Sequence, residues 1–156
     1  MKNTAHKRAF YTLCGCIAAL ALAVAAALCL LAPAPAAFDV AIPGRRGEIP
    51  ATVQLPGNLA RGTELPLVVL CHGFTGSRSG DGHFAPLAAD LAAQGLATVR
   101  LDFPGCGDSA EPFTAYTLAN MADDVESAIT YMQATYSTTR TALVGHSIGG
   151  RLASLY

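Results

Sequence analysis

From residue 66 onward, short apolar runs alternate with stretches whose apolar residues recur every three or four positions, and few folds accommodate that alternation. The runs are Pro66-Leu67-Val68-Val69-Leu70, Leu96 to Leu101 and Thr141 to Val144. Runs of this length and composition read as strands buried on both faces, as in a parallel sheet. Phe84, Leu87, Ala88, Leu91 and Ala92 stand at i, i+3, i+4, i+7 and i+8, with Pro86 in the first turn and Gly95 at the stop, which predicts a helix. Met121, Val125, Ile129 and Met132 predict a longer helix from Ala115 to Tyr136, and Ile148 opens another. Strands separated by helices of this length form right-handed βαβ units, so the expected class is α/β, a mostly parallel sheet with flanking helices. Upstream, Pro33, Pro35, Pro43 and Gly44 mark a short linker, and Glu48 to Leu55 predicts an early strand. The chain contains no internal repeat or low-complexity tract.

The first 36 residues have a different character. Lys2, Lys7 and Arg8 precede a stretch from Ala9 through Phe38 with no charged side chain, apolar from Leu13 to Ala32 apart from the small Gly15. Twenty helical residues at about 1.5 Å each span the roughly 30 Å hydrocarbon layer. The basic start should stay cytoplasmic, so the expectation is a single span in the cytoplasmic membrane with the remainder outside. Ala34-Pro35-Ala36 has the small-x-small form of a cleavage site, and secretion after signal cleavage is the alternative. The anchor is preferred because signal-peptide apolar cores run to only about 7 to 15 residues. A helix buried in a soluble core is disfavoured, since this one is apolar all round behind a basic start. Too little apolar sequence precedes Cys16 for Leu13-Cys14-Gly15-Cys16 to be a lipoprotein processing site.

Residues 1–36 are thus read as an anchor or signal and residues 37–156 as a separate domain. The 52% apolar and 13% charged composition argues against disorder. Seven basic against eleven acidic side chains follow position 36, so nucleic acid is excluded as a partner. Cys14, Cys16 and Cys29 lie in the apolar segment as small hydrophobes, while Cys71 and Cys106 each follow a predicted strand. An oxidising compartment would permit a Cys71–Cys106 bridge, but the default is two separate thiols. No Cys or His spacing has the form of a zinc site, and no metal or organic cofactor is implied.

Chemistry concentrates at the carboxyl ends of the predicted strands, where open parallel sheets bind ligands. Gly145-His146-Ser147-Ile148-Gly149-Gly150 holds a Gly-x-Ser-x-Gly pattern between a strand and a helix. A sharp strand-to-helix turn there presents the Ser147 hydroxyl, with Gly145 and Gly149 removing side chains that would collide. The Ile148 N–H and the positive end of the helix dipole then face the place where an oxyanion would form. His72-Gly73-Phe74-Thr75-Gly76 follows an earlier strand, and its Phe74 N–H offers a second donor. Asp102-Phe103-Pro104-Gly105-Cys106-Gly107-Asp108-Ser109 follows the other.

With these three motifs in this order, residues 66–156 resemble the N-terminal half of an α/β-hydrolase. His72 to Gly76 and Gly105 to Ser109 are most similar to the serine-aminopeptidase-like lineage that includes cinnamoyl and feruloyl esterases. The resemblance implies Ser147 as nucleophile and Phe74 and Ile148 as oxyanion-hole residues. It also implies hydrolysis of a small-molecule ester through an acyl-enzyme, with an amide or peptide substrate as the alternative. A non-catalytic, membrane-anchored binding module stands beside it.

Other polar residues are read as structural. His72 is expected to fix the oxyanion loop by hydrogen bonding, and His146 to point away from the Ser147 hydroxyl. Asp102 and Asp108 are expected to bond their own Gly-rich turn. His83 is read as a solvated or capping residue, and Cys71 points to the face opposite His72. In this family the acid and the histidine follow the nucleophile along the chain. Only nine residues follow Ser147, so the expectation is a domain truncated after the nucleophile elbow, inactive by itself and prone to aggregate.

Overall fold

The computed structural model describes residues 11, 14–24, 36–57, 59, 60 and 62–156. It forms two compact units, residues 1–33 and 34–156. In the first, residues 14–24 are helical (α1) and exposed. Among the described residues no helix is long and apolar enough to cross a membrane. The expected span from Leu13 to Ala32 runs on into positions outside the described residues, as do Lys2, Lys7, Arg8 and Cys29.

The second unit runs β1 (Ala36–Pro43), β2 (Glu48–Leu55), β3 (Leu65–Cys71), α2 (Phe84–Ala93), β4 (Ala97–Leu101), a 3₁₀ turn (Phe113–Ala115), α3 (Leu118–Tyr136), β5 (Thr138–Gly145) and α4 (Ile148–Leu155). One five-stranded sheet has the order β1-β2-β4-β3-β5. β3 pairs in parallel with β4 and β5, whereas β1–β2 and β2–β4 are antiparallel. The sheet is therefore mixed, and its parallel part is the part that carries the motifs. Pro33, Pro35, Pro43 and Gly44 predict a linker over residues 33–44. That stretch includes strand β1 instead, in which Phe38, Val40 and Ile42 alternate with smaller or polar residues and the Gly44 N–H closes the hairpin on Gly47 O at 2.9 Å.

The two faces of the sheet differ. Ile49, Ala51, Val53, Leu67, Val69, Ala97, Val99 and Leu101 are buried with Met121, Val125, Ala128 and Met132 of α3 and Leu152 of α4. On the opposite face Val68 and Leu70 pack against Phe84 and Ala88 of α2. That face also holds Thr52, Gln54, Thr98 and Arg100, buried and paired across the register with one another and with Val68 and Leu70. α3 begins at Leu118, three residues later than the periodicity predicts, because the Thr117 side chain accepts the Asn120 N–H at 3.2 Å and caps the helix there. Among the described residues β5 pairs only with β3, and Ala142 and Val144 on it are exposed.

Candidate active site

β5 ends at Gly145 and α4 begins at Ile148, which leaves His146 and Ser147 to reverse the chain. The turn is pinned to the end of β3 by His146 N–H donating to Cys71 O at 3.0 Å, and closed by Gly149 N–H donating to His146 O at 2.9 Å. Ser147 takes φ 55° and ψ −117°, a conformation that costs a side-chain-bearing residue about 1–3 kcal/mol. Packing forces it there. A Cβ on Gly145 would collide with the Gly149 carbonyl group, and one on Gly149 would meet the carbonyl oxygens of Cys71 and, at 2.6 Å, of His72. Backbone thus lies against backbone on both sides of Ser147, whose own side chain is exposed.

Opposite the elbow lies the loop after β3. His72 is buried at 1% exposure, and burial lowers its pKa, keeping the imidazole neutral. Its Nε2 accepts the Phe103 N–H at 3.2 Å, which leaves Nδ1 to carry the proton and donate to Gly73 O at 2.7 Å. His72 is therefore a brace between the ends of β3 and β4, the role the sequence assigns it. Asp102 does likewise for its own turn. Its carboxylate takes the Arg78 N–H at 2.6 Å, the Asp108 N–H at 2.9 Å and the Arg78 guanidinium. Asp108, largely exposed, receives the other end of that guanidinium at 2.7 Å.

Ser147, His146, Phe74, Gly76 and Asp81 border one cleft of about 220 Å³ floored by His72 and Gly73. Among the described residues, neither the Phe74 nor the Ile148 N–H donates to a protein acceptor, and no imidazole or carboxylate is hydrogen-bonded to Ser147. His146 borders the cleft without such a bond, and His83 lies on an adjoining one. A larger groove of about 380 Å³ between the β1–β2 turn and α3 has Arg45, Glu126 and Tyr131 in its wall, and its Ser127 hydroxyl is engaged in donating to Asp123 O at 2.8 Å. Cys71 and Cys106 are free, buried thiols, and burial pushes Cys71 up to about 12, far from a reactive thiolate. No group of three or more His, Cys, Asp or Glu among the described residues could hold a metal.

Sequence reasoning missed two contributors. Arg78 carries no local signal, since the acids it joins come 24 and 30 residues later. Tyr116, assigned to the helix, instead follows the 3₁₀ turn and donates its hydroxyl to Gly73 O at 3.2 Å. Phe74, Phe113 and Tyr116 form an aromatic cluster with ring centroids 5.2–5.7 Å apart.

A family profile described as alpha/beta hydrolase fold matches residues 66–156. No curated protein matches the chain. Among solved structures, the chain is similar to Est1E from Butyrivibrio proteoclasticus, solved with ferulic acid bound. The two are 28% identical with a TM-score of 0.64, over 72% of this chain and 44% of that one. It shares the fold of the Pyrococcus furiosus esterase Pf2001, at 20% identity and TM-score 0.64 over 76% of this chain and 43% of that one. It also shares the fold of XC6422 from Xanthomonas campestris, a serine hydrolase without a lid, at 23% identity and TM-score 0.59 over 76% and 53%. The chain spans less than half the length of the first of these structures. With the profile covering most of the sheet and every motif of the cleft, the chain belongs to the alpha/beta hydrolase fold family.

Proposed function

We propose that this chain carries the nucleophile side of a serine hydrolase acting on carboxylic esters. The observation that supports this most directly is the Ser147 elbow, an exposed side chain in a strained turn, with the Phe74 and Ile148 N–H groups left without a protein acceptor among the described residues. Constraint of this kind is spent where geometry matters to function. In the first step the Ser147 Oγ bonds to the ester carbonyl carbon and its proton passes to a base. The carbonyl oxygen, now an anion, is stabilised by the two N–H groups and the α4 dipole. The carbon–alkoxide bond then breaks, the alcohol leaves with the proton, and water cleaves the acyl-serine to give the carboxylic acid and free Ser147. The base and its acid partner belong, in this reading, to a later part of the hydrolase domain, as the family order implies.

Est1E was solved with ferulic acid bound, so hydroxycinnamoyl esters are the first substrates to try, with amides of the same acids as the less reactive alternative. The N-terminal basic group and uncharged stretch support placing the domain outside the cytoplasmic membrane, tethered by residues 1–36 or released after cleavage near Ala36. A fluorophosphonate probe on the full-length protein tests the chemistry. Labelling and ester turnover should both vanish on Ser147→Ala, turnover by at least about 10³-fold. Unchanged labelling would sink the nucleophile assignment and favour a non-catalytic binding module.

A further inference from the structure

We infer that Tyr116 is a positioning residue that aims the Phe74 N–H at the developing oxyanion, a role that rests on the hydrolase reading above. The Gly73 carbonyl and the Phe74 N–H belong to one planar trans peptide, so they point in opposite directions and turn together. Three donors converge on the Gly73 oxygen, from His72 Nδ1 at 2.7 Å, Gly76 N at 3.1 Å and the Tyr116 hydroxyl at 3.2 Å. Holding that oxygen inward holds the Phe74 N–H outward, toward the cleft it shares with Ser147. The next carbonyl is engaged as well, Phe74 O accepting the Thr75 hydroxyl at 2.7 Å.

Gly76 belongs to the loop itself and His72 braces the loop's base from the end of β3, whereas Tyr116 reaches the carbonyl from 43 residues away. Its own place is well fixed. The ring stacks on Phe113 at 5.2 Å and meets Phe74 edge-on at 5.7 Å. The segment beneath is tied down by Asn120 Nδ2 donating to Ala115 O at 2.8 Å and by the Thr117 cap of α3. Burial pushes the phenol up to about 12, so the hydroxyl keeps its proton and remains a donor through the neutral range.

The test is Tyr116→Phe in the full-length protein, which keeps the ring and deletes only the hydroxyl. The kcat for p-nitrophenyl acetate should fall about tenfold, less than the hundredfold or more that follows outright loss of an oxyanion donor, with KM unchanged. The inhibition constant of a phenyl trifluoromethyl ketone, whose serine adduct puts an oxyanion in the same place, should rise by the same factor. Thermal midpoint and the number of sites titrated by fluorophosphonate should stay put, and the Phe74 amide resonance should move. Unchanged kcat, inhibition and Phe74 resonance in Tyr116→Phe overturn the inference, as does an effect confined to Tyr116→Leu, which would credit the ring alone. Turnover that survives Ser147→Ala overturns the hydrolase reading itself, and is distinguishable from either result.

Discussion

Ser147 adopts its backbone conformation because its neighbours leave it no other. With the His146 N–H bound to Cys71 O and the Gly145 and Gly149 backbones in contact, relaxing φ from 55° would unseat α4 from the sheet. A glycine adopts this region without penalty. Ser147→Gly should therefore raise unfolding stability by about 1 kcal/mol over Ser147→Ala, while both lose the hydroxyl. Urea titration of the two variants side by side checks this, and equal midpoints would mean the turn stores no strain. This turn was readable in the sequence because crowding of backbone on backbone dictates residue identity: only glycine fits on either side. The brace formed by His72 was readable for a similar reason, since an imidazole next to a strand end has few roles. Arg78 was not, because its position follows from a fold that brings Asp102 and Asp108 to it, and nothing in Ser77-Arg78-Ser79 announces that.

The β1–β2 turn is fastened to α3 by charge. Arg46 pairs with Glu111 at 2.7 Å and Asp124 at 2.6 Å and donates to Asn120 O at 3.2 Å, while Arg45 pairs with Asp123 at 3.2 Å and with Glu126 at 2.5 Å. Asp124 is buried with Oδ2 unpartnered, and burial pushes its pKa up to about 6 against the pull of Arg46. A carboxyl whose folded pKa is raised binds its proton more tightly in the native state than in the unfolded one. Its contribution to stability is thus intact below about pH 4 and declines as pH rises to about 6. Asn at this position mimics the protonated acid and can still accept from Arg46. The stability difference between Asp124→Asn and the parent should shift toward the variant by about 2 kcal/mol between pH 4 and pH 7. Thermal or urea unfolding across that range would show it, and a flat difference would refute it. Strand β1 shows how an element can be legible and still be passed over. The alternation of Phe38, Val40 and Ile42 is a strand signal, but the prolines and Gly44 around it read more loudly as a linker. They in fact punctuate the strand, since Pro43 closes it and Gly44 makes the turn.

The sheet as a unit divides its labour. Its antiparallel strands β1 and β2 close one side, and of its parallel strands β4, β3 and β5 the last two present the cleft at their carboxyl ends. β5 leads into the Ser147 turn but is paired on one side only among the described residues, with Ala142 and Val144 exposed. An open strand edge beside apolar side chains recruits other strands. The 156-residue chain expressed alone should scatter light increasingly with concentration, and Val144→Lys should suppress that scattering; equal turbidity for the two would place the adhesive surface elsewhere. The alternation of runs and helical stretches foretold the parallel core, whereas the antiparallel β2–β4 pairing, which places β2 beside a strand two steps later, has no local trace. That strand order also bears on how the chain reaches its fold. Only the β1–β2 pairing closes a short loop, while β3 must find β4 across α2 and β5 across α3. Distant pairings pay loop-closure entropy before contacts reward it. The hairpin is thus the quick event, the capture of β5 by β3 is the slow one, and the elbow that holds Ser147 is assembled last.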